Sequence, residues 1–222
     1  MVNWVSAQNG LNSDTIVFPV IAPPGANEAV VDTTSETVIG TISGMVLPTG
    51  VAFNHSGTIA YVRGQASTVY VIDVPTLSII ESIAVGFFGG AIDVGPAGSY
   101  VYTHSIQDGT LEVIDARSNL LIDSVATGGG ANDMSLSPDG SRIYIANSRT
   151  DTVTVLDATS RQVLTQVAVG DQPFGAGVTA DGRFVFTANF GSASASVIDT
   201  TTNNVTATIP IGFQPVAGGD FL

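Results

Sequence analysis

The sequence predicts an all-β fold made of about five four-stranded sheets arranged as a ring. Three observations carry this: an internal repeat of about 42 residues, turn glycines that keep the same period, and short β-branched runs between them. Runs ending in Asp recur as Val30-Val31-Asp32, Val71-Ile72-Asp73, Val113-Ile114-Asp115, Val155-Leu156-Asp157 and Val197-Ile198-Asp199, with Asp spacings of 41, 42, 42 and 42 residues. Gly57, Gly98, Gly140 and Gly182 hold the same period in turns such as Ser137-Pro138-Asp139-Gly140, and Tyr61, Tyr102, Tyr144 and Phe186 follow four residues after each. Repetition at this period over nearly all of the 222 residues is the mark of a β-propeller, whose radial symmetry leaves only short sheet edges.

Within one unit the elements read in order. Ser135-Leu136 ends an innermost strand, and the segments 142–146, 152–156 and 162–167 supply the second, third and fourth. Thr, Val and Ile dominate where a helix would favour Ala, Leu, Glu and Lys, and no dozen-residue window carries a 3.6-residue apolar period. One domain is expected over 1–222, with repeats at about 1–44, 45–86, 87–128, 129–170 and 171–212 and a closing strand at 213–222. Two segments compete for the last innermost strand. They are 2–7, holding Val2, Trp4 and Val5, and 216–221, holding Val216 and Phe221, and the second follows Gly212-Phe213-Gln214-Pro215, which matches Gly170-Asp171-Gln172-Pro173. Pairing of the chain ends would close the ring and leave the N-terminal segment spare, free to add to the sheet edge of another subunit.

These residues resemble the YVTN-type β-propeller repeats of bacterial and archaeal cell-surface proteins, over about residues 14 to 222. The resemblance rests on Ile143-Tyr144-Ile145-Ala146-Asn147, Val185-Phe186-Thr187-Ala188-Asn189, the turn Ser137-Pro138-Asp139-Gly140, the run from Val197 to Val205 and the segment from Val169 to Gly175. Earlier units drift, with Gly64 and Ser105 where the box has Asn. The resemblance implies a propeller and an extracellular or cell-surface setting, and no particular chemistry.

Composition excludes several function classes. The net charge of −13 comes from fifteen Asp and four Glu against six Arg and no Lys, so a nucleic-acid partner, which needs clustered cations, is not expected. With no cysteine there is no disulfide framework, thiolate metal site or thiol nucleophile. The most apolar stretch, Ile16 to Ala22, contains Pro19, and no transmembrane segment or signal peptide is visible.

No catalytic, cofactor or metal site is expected. The five repeated aspartates are each followed three residues later by Ser or Thr, the signature of an Asp-led turn. His55 and His104 occupy different repeat positions and are expected at the surface, apart. Axial loops are the expected place for any ligand. Innermost positions Ala52, Asp93, Ser135 and Gly177 are mostly small, so only Asp93 and Asp133 bring charge near the axis, read as solvated carboxylates. Phe87, Phe88, Phe174 and Phe213 fall in blade-to-blade crossings, where packing between blades is the expected role. Two glycosylation tripeptides start at Asn54 and Asn204. The resulting expectation is a non-catalytic extracellular scaffold or self-assembling filament subunit, associating through Val2, Trp4, Val5, Val216 and Phe221. A protein- or glycan-binding module using the axial loops is the alternative, and a lactonase-like hydrolase a third.

Overall fold

The computed structural model describes residues 15–18, 28–32, 37–212 and 215. Among them are nineteen strands and no helix. The first sheet holds β1 (Thr15–Phe18), β2 (Glu28–Asp32) and β3 (Thr37–Ile42). Four four-stranded antiparallel sheets follow, each a meander in chain order. Blade II is β4 (Pro48–Phe53), β5 (Ile59–Gly64), β6 (Thr68–Asp73) and β7 (Ser78–Ala84); blade III is β8 (Ile92–Val94), β9 (Tyr100–Ser105), β10 (Thr110–Asp115) and β11 (Leu120–Ala126). Blade IV is β12 (Ala131–Leu136), β13 (Arg142–Asn147), β14 (Thr152–Asp157) and β15 (Gln162–Ala168). Blade V is β16 (Pro173–Val178), β17 (Phe184–Asn189), β18 (Ser194–Asp199) and β19 (Asn204–Pro210). This is the expected propeller. Apart from residue 215 the closing strand at 213–222, with Phe213, Val216 and Phe221, and the spare segment with Val2, Trp4 and Val5 lie outside the described residues.

Local chemistry explains the regularity. Asp73, Asp115, Asp157 and Asp199 each accept hydrogen bonds from the backbone N–H and the hydroxyl of the Thr or Ser three residues on, at 2.5 to 3.2 Å, so each closes the turn between its blade's third and fourth strands. These bonds to the charged form hold the four carboxyls below their usual range. They are structural, as the spacing predicted. Gly57, Gly98, Gly140 and Gly182 all sit near φ +70°, the left-handed region that only glycine enters without strain, which is why the first turn of each blade keeps a glycine.

The two middle strands of each complete blade are almost wholly buried, whereas the fourth strands β7, β11, β15 and β19 are mostly exposed. Apolar side chains fill the gaps between blades. Tyr61, Val69 and Val71 of blade II meet Ile92, Val101 and Ile114 of blade III, and Tyr102, Leu111 and Val113 of blade III meet Met134, Ile143 and Ile145 of blade IV. Alternation along β9 and β10 therefore turns Val101, Thr103, Ser105, Glu112 and Ile114 toward blade II, and Tyr102, His104, Leu111 and Val113 toward blade IV.

Candidate functional site

Crossings between blades and the turns between second and third strands share one face of the disc, here called the top. Its most unusual feature lies where blade II hands over to blade III, at Gly86-Phe87-Phe88-Gly89-Gly90. Every backbone polar group of Gly86, Phe87 and Phe88 has a partner. Gly86 N–H donates to Glu112 Oε1, and Gly86 O accepts from Arg63 Nη2 at 2.5 Å. Phe87 N–H donates to Asp108 Oδ2 at 3.0 Å, and Phe87 O accepts from Ser105 Oγ at 2.7 Å. Phe88 N–H donates to Gln65 O, and Phe88 O accepts from Ile106 N–H. Three residues are thus pinned by four side chains and two main-chain bonds.

The two phenyl rings are nonetheless presented to solvent, 43% and 46% exposed and edge-to-face with centroids 4.7 Å apart. Their expected role as packing between blades does not hold: the glycines beside them let the backbone sink toward Arg63 while the rings point outward. A Cβ on Gly89 would collide with Arg63 Nε, and one on Gly86 with Glu112 Oε1. Phe88 itself holds φ +54°, a left-handed conformation that costs a bulky residue energy and persists only where the surroundings fix it. The preceding crossing places Val46 and Leu47, 48% and 41% exposed, at the same repeat positions.

Beneath the crossing lies a charged cluster between blades II and III. Arg63, on β5, is fully buried; besides Gly86 O its guanidinium donates to the carbonyls of Gly64 at 2.9 Å and Thr68 at 3.3 Å. Glu112, on β10, is 2% exposed, and its Oε2 has no hydrogen-bond partner among the described residues. Asp108 Oδ2 also lies 2.8 Å from Ser105 Oγ, whose single proton it shares with Phe87 O. Arg63 makes no ion pair within 4.0 Å with either acid; the ion pair found among the described residues is Arg161 with Asp123 on the rim. Burial pushes the Glu112 carboxyl up, against the pull of Gly86 N–H and Arg63, whereas the bonds from Phe87 and Ser105 hold Asp108 down.

His104 departs from its expected place. It is fully buried on the opposite face of β9, near Gly90, and neither ring nitrogen has a hydrogen-bond partner among the described residues. Burial, with Arg63 nearby, lowers its pKa to about 3, so the imidazole is neutral. His55 is exposed in a turn, as expected.

The remaining sequence candidates do not join this cluster. Asp133 Oδ2 accepts from Ala176 N–H at 3.3 Å, tying innermost strand β12 to β16, and Asp93 Oδ1 accepts from Val94 N–H at 2.8 Å. Asp133 is therefore bonded across a blade interface instead of standing as a solvated carboxylate. No group of three metal-ligating side chains occurs among the described residues. Phe174 is 42% exposed and lies 6.0 Å from the Phe190 ring on blade V. Sequence reasoning missed Arg63, Glu112 and Asp108. Their signal was departure from the repeat: Arg63 and His104 stand where later blades have Ala146 and Ala188, and Glu112 where they have Thr154 and Ser196.

No family model matches the chain, and no curated protein is detectably similar in sequence. Solved structures are similar in fold. One is hydrazine synthase of Kuenenia stuttgartiensis, with a TM-score of 0.71 and 21% identity over 79% of this chain and 53% of that one. Another is the dihydro-haem d1 dehydrogenase NirN in complex with DHE, with a TM-score of 0.75 and 16% identity over 94% of this chain and 46% of that one. The chain spans about half the length of each. Both likenesses support the propeller fold. Both structures are of enzymes, and this overturns the expected non-catalytic scaffold or filament subunit.

One of these neighbours is a haem dehydrogenase by name, so the fit of a haem to this chain matters. His104, the one buried imidazole of the described residues, lies beneath Gly90 with both ring nitrogens enclosed, and the innermost positions Ala52, Ser135 and Gly177 offer no ligating side chain. The described residues do not fit an axially ligated haem.

Proposed function

We propose that this chain is the propeller of an enzyme and that its working surface is the top face over blades II and III, where Phe87 and Phe88 hold a flat, apolar-faced organic molecule. The likeness in fold to two enzymes supports the first half. One observation carries the second: two exposed phenyl rings stand on three residues whose six backbone polar groups are all bonded, four of them to Glu112, Arg63, Asp108 and Ser105. Preorganised aromatic surface binds at low entropic cost, because the ordering is complete before the ligand arrives. Val46 and Leu47 extend the apolar surface, and the net charge of −13 disfavours polyanionic ligands.

Protoporphyrin IX and haemin, titrated by visible absorbance, are suitable flat probes. Because the proposed contact is with the phenyl rings and not through iron, both should bind alike, and replacing Phe87 and Phe88 together by Ala should weaken both about tenfold or more. Absence of saturable binding to the intact protein, or binding indifferent to the double replacement, would overturn the reading.

A further inference from the structure

We infer that Glu112 is a positioning residue whose proton sets how firmly Gly86-Phe87-Phe88 is held, so that the aromatic surface is more rigid when Glu112 is neutral than when it is ionised. This deepens the proposed ligand surface and rests on that reading for its functional meaning, though the device itself belongs to the fold.

The geometry is unusual for a buried acid. Glu112 is 2% exposed, spends one oxygen on Gly86 N–H and leaves the other without a partner among the described residues, where no cation lies within 4.0 Å of it. An ionised carboxylate in that setting is desolvated, a cost that Gly86 N–H and the nearby Arg63 offset only in part; the neutral acid keeps a carbonyl oxygen for Gly86 N–H and replaces that cost with the smaller one of a buried hydroxyl. The groups facing it are few. From β5 comes Arg63, whose Nη atoms are committed to the carbonyls of Gly64, Thr68 and Gly86. From the turn between β9 and β10 comes Asp108, bonded to Phe87 N–H and the Ser105 hydroxyl, and its negative charge opposes ionisation of Glu112. His104 is on the reverse face of β9. Opening of the crossing would return Glu112 to water and to ordinary acidity. The closed form therefore binds the proton more tightly than the open form, and closure strengthens as pH falls through the titration of Glu112. Asp108, held low, stays ionised over that range and continues to grip Phe87.

Amide exchange and ¹⁵N-resolved NMR from pH 4 to 8 test this without any ligand, so failure of the ligand reading leaves it standing. The Gly86 amide should titrate with a midpoint above the ordinary glutamate range, about 4.3. Protection factors at residues 86–88 should rise at least threefold from above that midpoint to below it. Glu112→Gln, the neutral isostere, should be flat across the range and as protected as the acid form. Asp108→Asn should lower the midpoint. A Gly86 amide that does not titrate in the wild type, or a Glu112→Gln variant that is as loose as the high-pH wild type, would overturn the proposal.

Discussion

Blades II and III and blades IV and V are built on one repeat, yet the inter-blade space beneath their top faces is filled in opposite ways. In blade IV, Asn147 Nδ2 donates to Thr154 Oγ1 at 2.8 Å, and Thr154 donates to the Thr127 carbonyl of the crossing at 2.6 Å. In blade V, Asn189 Nδ2 bonds Ser196 and Ser194 at 2.9 and 3.1 Å. Neutral amides and hydroxyls, small enough to interlock, fill the space. At the positions of Asn147 and Thr154 blade III places Ser105 and Glu112, blade II adds Arg63 where the later blades have Ala146 and Ala188, Asp108 stands where they have Thr150 and Ser192, and the crossing above carries two exposed phenylalanines. The repeat makes the fold, and the departures from it make the site. Charges also raise the stakes, since a buried charged group left without a partner costs far more than a buried hydroxyl.

The comparison breaks most sharply at Arg63. Arg63→Ala would strand the carbonyls of Gly64, Thr68 and Gly86 and empty a fully buried volume, so a loss of about 3 kcal/mol or more is expected in urea unfolding. A cost under about 1 kcal/mol would mean the guanidinium is not structural. Next comes Gly89→Ala. Its Cβ has no room beside Arg63, and overpacking of this kind costs about 1–3 kcal/mol; the next two crossings carry Ala131 and Pro173 at that position, so Gly89 should be the intolerant one. Thermal melts of the variant decide it.

His104→Leu sharpens the contrast instead of breaking it. An imidazole with two unpartnered nitrogens gains little from its polarity, so an apolar replacement should change stability at pH 7 by less than about 1 kcal/mol. The variant should also lose a pH effect. Because the folded-state pKa of His104 is about 3, below its ordinary 6.5, wild-type stability should decline as pH falls from about 6.5 toward 3 through this group, and His104→Leu should remove that part of the slope. The smallest effect belongs to the turns that all four complete blades have. Asp139, held at about 2 by Ser137 and Ser141, contributes stability that is present above its ordinary pKa and lost as pH falls from about 4 to 2. Asp139→Asn should flatten that stretch of the acid melt slightly.

Fold and site differed in legibility for a physical reason. A turn repeats because its geometry repeats, so Asp115 with Ser118, or Gly140 at φ +68°, leaves a periodic trace that one sequence is enough to reveal. Glu112 and Arg63 leave no trace of that kind. Each reads as a lone charge, which is usually solvated, and the bonds that make them important run to the backbone of Gly86, 26 and 23 residues away. His104 was misplaced on the same logic. The aromatic pair was visible, but its exposure depends on the glycines beside it and on the cluster below, and only the folded arrangement shows that the rings point outward.

The central claim is that Phe87 and Phe88 stand on a rigid segment. Amide exchange comparing Gly86, Phe87 and Phe88 with their counterparts Gly128, Gly129 and Gly130 in the next crossing tests it most directly. Protection at least tenfold greater at 86–88 is the predicted result; equal or weaker protection there would contradict the account.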